Sequence, residues 1–154
     1  QSEITAAWQM FADHPFIGVG LGNFNINYLD YAEHLGLDTR GLERSAHSLY
    51  LEIASETGMV GIIAFGLILA LSFQHLFLAY HTFVDNKQRD YAYLTWALTV
   101  SLLGYLTGSL FLHLAYPRYF WLLIGLAIAT KNAADYEKKR LQTIIQTLEP
   151  TELL

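Results

Sequence analysis

The sequence predicts an all-α fold: a polytopic membrane helical bundle with short amphipathic helices on its periplasmic side. Three observations predict it. Apolar residues make up 53% of the chain and charged residues only 15%, against about 25% charged in soluble domains. The charges are segregated, with no Asp, Glu, Lys or Arg across Met59–Tyr80, Tyr91–Pro117 or Tyr119–Thr130. Lysine and arginine gather in the polar intervals around Lys87 and after Thr130.

Residues 1–58 read as an outward-facing region carrying two amphipathic helices. Ser2 is a candidate N-cap, and Ile4, Ala7, Trp8 and Phe11 follow at helical spacing. Pro15 stops this helix near His14, because a residue before proline is pushed out of the helical region. The run Gly18-Val19-Gly20-Leu21-Gly22-Asn23 follows. It misses the dinucleotide-binding pattern, whose third glycine would fall at Asn23. A tight turn packed closely on the membrane helices is the better reading. Asn25–Arg44 is polar, without a clear period, and reads as a loop. A second helix is expected over Ala46–Thr57, capped by Ser45 and stopped by Gly58.

A helix needs about 20 apolar residues to cross the hydrocarbon layer. The first span is placed at 59–80, followed by a loop at 81–90 and a second span at 91–112. A turn at 113–118 leads to a short third span at 119–131, and 132–154 forms a helical tail ended by Pro150. Lys87 and Arg89 flank the first hairpin, while Lys131, Lys138, Lys139 and Arg140 follow the third span. The positive-inside rule makes both regions cytoplasmic. Residues 1–58 and 113–118 then face the periplasm, as in a multi-pass protein of the inner membrane. Three spans, a first residue that is not Met and no signal peptide suggest a fragment whose earlier helices are missing.

Several functions are disfavoured by composition. The chain lacks cysteine, so it has no thiolate site, and its net charge of −5 gives no nucleic-acid footprint. His14, His34 and His47 show no metal-ligand spacing, and neither a metal nor a cofactor is expected. Gln74 and His75 fall inside the first span, where interhelical hydrogen bonding is the favoured role. His47 stands at a helix start beside the membrane, three residues after Arg44. A neutral imidazole there can take a proton from a hydroxyl, and guanidinium groups pair bidentately with phosphate. By itself, a polar histidine at a helix start is more often structural.

The run Trp8-Gln9-Met10-Phe11-Ala12-Asp13-His14-Pro15-Phe16-Ile17-Gly18-Val19-Gly20-Leu21-Gly22-Asn23-Phe24 resembles the O-antigen ligase and O-antigen polymerase superfamily. So does Ala46-His47-Ser48-Leu49-Tyr50-Leu51-Glu52-Ile53-Ala54-Ser55-Glu56-Thr57-Gly58, in which ten residues separate His47 from Gly58. Pro15, Gly18, Gly20 and Gly58 are the structural residues of these motifs. The family often carries an arginine just before the first amphipathic helix, where this chain has Gln1.

The resemblance implies part of a GT-C-like, metal-independent membrane glycosyltransferase of surface-polysaccharide biosynthesis. The donor would be a glycan on undecaprenyl pyrophosphate. The acceptor would be a hydroxyl of lipid A core (as in lipopolysaccharide), of a polysaccharide or of a protein. His47 takes the role of base, and Arg44, Arg40 and Arg118 are candidates for binding pyrophosphate. Displacement in line would invert the sugar carbon. Ligase and polymerase, the sugar and the acceptor all stay open. The alternatives are a membrane transporter, as some relatives labelled bicarbonate transporters suggest, or a non-catalytic assembly subunit.

Overall fold

The computed structural model of the protein describes residues 2–37, 48–110 and 117–148. Among the described residues there are five helices: α1 (Ser2–Asp13), α2 (Phe24–His34), α3 (Leu49–Asp85), α4 (Arg89–Gly108) and α5 (Pro117–Leu148). Among the described residues there is no strand. The all-α expectation therefore holds. Two compact units emerge, Gln1–Ile68 with Gly104–Pro117, and Leu69–Leu103 with Arg118–Leu154.

The first unit is built on an α1–α2 hairpin. Ala6, Ala7 and Met10 of α1 meet Phe24, Tyr28 and Ala32 of α2, all at most 3% exposed. Small alanines let the two backbones approach, and the two aromatics fill the space beyond them. Here the structure corrects the sequence reading, because Asn25–His34 is helical and not loop. Phe24, Tyr28 and Ala32 recur every four residues and form a narrow buried stripe. The polar residues between them conceal that stripe from a simple periodicity count.

Helix α3 continues to Asp85, with non-helical angles inside it at Gly58 (φ 62°, ψ −157°). Among the described residues, α3 is the one helix long and apolar enough to cross a membrane. Only 17% of its most apolar stretch is buried inside the protein. Val60, Ile63 and Leu67 are each more than half exposed, which a core helix of a soluble protein would avoid.

In the second unit, Ala79, Phe83, Ala92 and Ala134 form a small core with Tyr80 against it. Phe83 stacks on Tyr91 at 5.3 Å, and Gln88 donates to Glu137. Helix α4 carries hydroxyls within an apolar helix, and they are turned onto its own backbone. Thr95 donates to the Tyr91 carbonyl, Thr99 to Thr95, and Ser101 to Ala97. Such back-bonding satisfies a hydroxyl without water. Helix α5 has 32 residues and is about 48 Å long at 1.5 Å per residue. The expected short span and helical tail are thus one continuous helix.

Candidate functional site

Both glycine motifs meet in the first unit. Pro15 ends α1, and the chain turns through Gly18 and Gly20 toward α2. This turn runs alongside the Gly58 interruption of α3. In an unbroken helix the Ser55 carbonyl would accept from Met59 N–H, and the Glu56 carbonyl from Val60 N–H. Instead, Val19 N–H donates to the Ser55 carbonyl at 2.9 Å and Gly20 N–H to the Glu56 carbonyl at 2.9 Å. In return, Met59 N–H donates to the Pro15 carbonyl at 2.8 Å and Val60 N–H to the Phe16 carbonyl at 3.2 Å. The interruption therefore leaves none of these four backbone pairs unmade. An unsatisfied backbone group away from water costs several kcal/mol.

Glycine is required at the centre of each side. Gly18 (φ 65°) and Gly58 (φ 62°) are left-handed. A Cβ at Gly18 would overlap the Glu56 carbonyl, and one at Gly58 would overlap the Phe16 carbonyl. Gly20 (φ 101°) would crowd the Asn23 amide if it bore a side chain.

Glu56 makes a second connection. Gly22 N–H donates to its Oε2 at 2.8 Å and Phe24 N–H to its Oε1 at 3.1 Å. Asn23 precedes α2 but makes no side-chain capping bond of its own. The Glu56 carboxylate supplies the cap from a distant part of the chain, and its charge complements the positive end of the α2 dipole. Glu56 was overlooked in the motif reading, although it lies two residues before Gly58. The missing signal was its partner: orphan amides of another helix cannot be seen in one linear sequence.

The start of α3 is also anchored. Leu49 N–H donates to the Ser109 carbonyl at 3.2 Å, and Tyr50 donates its hydroxyl proton to the Leu106 carbonyl at 2.9 Å. These bonds satisfy carbonyls at the end of α4 that have no partner within the helix. Ser48 is buried, and its carbonyl accepts from Glu52 N–H as the helix begins.

The candidate base and two of the candidate arginines lie outside the described residues: His47, Arg44 and Arg40. Arg118 is exposed near the start of α5, in the second unit. The structure brings Pro15, Gly18, Gly20 and Gly58 together.

One other histidine needs correction. His34 does not sit in a featureless loop; it ends α2, and its Nδ1 lies 2.6 Å from the Asp30 carbonyl. His75 was expected to bond between helices. Its Nδ1 is enclosed and has no hydrogen-bond partner among the described residues. Gln74 lines a neighbouring cavity of about 460 Å³ with Phe77, Tyr80 and Trp96.

A cavity of about 380 Å³ opens between α1 and α2, lined by Gln9, Asp13, Asp30, Tyr31, His34 and Leu35. Gln9 Nε2 donates to Asp13 Oδ1 at 3.1 Å. Burial raises the Tyr31 phenol above its ordinary pKa of 10.0, helped by a hydrogen bond to Asp13 and by that carboxylate's charge.

No curated protein and no solved structure matches the chain. The family model described as O-Antigen ligase matches residues 2–66, the stretch that contains both glycine motifs and their exchanged backbone bonds.

Proposed function

We propose that this chain is part of an inner-membrane glycosyltransferase that transfers a glycan from an undecaprenyl-pyrophosphate donor to an acceptor hydroxyl at the periplasmic face. The family match over residues 2–66 carries this reading. It supports an O-antigen ligase or polymerase type of membrane enzyme. The matched segment includes His47, Arg44 and Arg40.

In the proposed reaction, His47 takes the acceptor proton while the oxygen attacks the anomeric carbon. The bond from that carbon to pyrophosphate breaks on the opposite face, so configuration inverts. Negative charge grows on the departing pyrophosphate. Arg44, Arg40 and Arg118 stabilise that charge, an electrostatic contribution that fixed donors make well. No metal is assigned a step.

The proposed arrangement in the membrane uses α3, α4 and the first half of α5 as spans. Residues 1–58 and 113–118 face the periplasm, and the 81–90 loop and the end of α5 face the cytoplasm. The helix interruption at Gly58 lies at the start of the charge-free stretch, which puts the Pro15–Gly22 turn at the membrane edge. A polyprenyl tail can stay in lipid there while its glycan is in water. The inward-bonded hydroxyls of α4 offer little to a solute path, which favours transfer over transport.

The test is His47→Gln in the whole protein, with lipid-linked glycan and acceptor. Gln hydrogen-bonds but does not titrate near neutral pH. Loss of a general base lowers rate by about 10²–10⁴. Transfer at the parental rate would eliminate His47 as the base.

A further inference from the structure

We infer that the cavity between α1 and α2 is a binding subsite for an uncharged or amino-bearing sugar residue of the glycan. This deepens the glycosyl-transfer reading and rests on it for the expectation that a glycan is present.

The argument begins with the lining. Gln9 and Asp13 come from α1, Asp30, Tyr31 and His34 from the last turn and a half of α2, and Leu35 from just past its end. Beneath them, Met10, Tyr28 and Ala32 are essentially inaccessible to solvent, so the two walls are fixed before any ligand arrives. Preformed walls reduce the entropy lost on binding.

The polar groups then define the ligand. Gln9 and Tyr31 both direct their donors at the Asp13 carboxylate. Those two bonds hold Asp13 in place and still leave it lone pairs to offer, since a carboxylate accepts at about four sites. His34 Nδ1 faces the Asp30 carbonyl, which can only accept. The proton must therefore be on Nδ1, and the neutral ring presents Nε2 as an acceptor. With the Asp30 carboxylate, the cavity offers mainly acceptors. Its complement is a ligand rich in O–H or N–H donors.

Charge and shape narrow the class. Among the described residues that line the cavity there is neither Lys nor Arg, while two are aspartates. A phosphate or a uronic acid would meet like charge, so this is not a second pyrophosphate site. The Tyr31 ring and Leu35 add an apolar wall suited to the C–H face of a pyranose. Adjacent hydroxyls at the edge of such a ring match a carboxylate's paired oxygens. Sequence order adds a further link: Leu35 lies five residues before Arg40 on the same segment.

Saturation-transfer NMR on the whole protein in nanodiscs tests this with three probes: maltotriose, chitotriose and tri-galacturonate. We expect transfer to maltotriose or chitotriose and at least about tenfold weaker binding of tri-galacturonate. Asp13→Asn should weaken the neutral ligand by about tenfold or more, the scale of one charge-assisted hydrogen bond. Tyr31→Phe removes only the hydroxyl that steadies Asp13 and should weaken it less, guarding against misfolding of the first variant. No binding of any probe, equal binding of the uronate, or unchanged affinity in both variants would overturn the subsite. Binding is read without turnover, so it is measured apart from the catalytic step. A protein that binds sugars but transfers none contradicts the enzymatic reading alone. One that transfers glycan while Asp13→Asn and Tyr31→Phe bind as the parent does contradicts the subsite alone.

Discussion

Gly18 and Gly58 occupy equivalent places in a reciprocal exchange of backbone hydrogen bonds. Each follows the first accepting carbonyl of its segment by three residues and precedes the first donating amide by one. Their φ angles, 65° and 62°, agree closely. The Gly18 position faces the Glu56 carbonyl, and the Gly58 position faces the Phe16 carbonyl. Two segments that would each close their own helical turn have traded partners instead. The two glycine motifs are thus one structural unit.

Gly18→Ala and Gly58→Ala should each destabilise the first unit more than Gly22→Ala. All three lose a left-handed glycine, which costs about 1–2 kcal/mol. Only the first two add a collision with backbone; a Cβ at Gly22 meets open space. Thermal melts of the purified protein in detergent should rank Gly22→Ala nearest the parent. Equal losses at all three positions would mean that the close approach contributes nothing.

Glu56→Gln should loosen the junction of the turn with α2. A Gln amide keeps one acceptor oxygen but turns an NH₂ group toward one of the two amides that Glu56 now accepts. One buried donor is then unpaired, at about 1–3 kcal/mol. Hydrogen exchange should accelerate at Gly22 and Phe24 before it does at the α1–α2 core. Unchanged protection at both amides would remove Glu56 from the capping role.

Much of this arrangement was legible in the sequence, for definite reasons. Pro15 and the three glycines of the turn announced a tight structure because their backbone limits are intrinsic. The charge-free stretch after Gly58 announced a helix long and apolar enough to cross a membrane. Helix α2 was not legible: its stripe of Phe24, Tyr28 and Ala32 is narrow, and burial against Ala6, Ala7 and Met10 decides it. Glu56 was hidden for a related reason, since its two donors lie more than thirty residues earlier.

Tyr31 should titrate above the ordinary phenol range in an ultraviolet pH titration, and Asp13→Asn should bring it down. Burial is the larger cause and Asp13 adds to it, so the variant should recover part of the shift. The folded state holds this proton more tightly than the unfolded chain does. Its stabilisation is therefore complete below the unfolded pKa of about 10 and lost as pH rises through the higher folded value. A phenol titrating no later than free tyrosine would contradict the Asp13 contact.

Topology can be read on a natural background, because the chain contains no cysteine. A cysteine at Asn86, in the turn between α3 and α4, should resist an impermeant maleimide in intact spheroplasts and react after permeabilisation. A cysteine at Phe16, exposed in the turn beside Gly18, should react without permeabilisation. The opposite pattern would invert the proposed orientation and remove the periplasmic site with it.

Arg44→Lys separates charge from geometry at the proposed pyrophosphate site. Both side chains are cationic, so a site that needs only positive potential would keep most of its affinity. A guanidinium offers a planar pair of donors to two phosphate oxygens, whereas an ammonium acts as a point charge. If Arg44 binds the leaving group through that fork, Lys should weaken donor binding by about tenfold, the equivalent of about 1.4 kcal/mol. Arg44→Ala should weaken it further. Charge on pyrophosphate also grows as the sugar bond breaks, so the turnover rate should fall along with affinity. Affinity is measured with lipid-linked donor in the absence of acceptor, and turnover in its presence. Arg118 is proposed to share this charge, so Arg118→Lys should also weaken donor binding; parental affinity would leave this exposed arginine to headgroup contacts alone. Parental donor affinity in Arg44→Ala would withdraw Arg44 from the site, and Arg40 would then be the residue to replace.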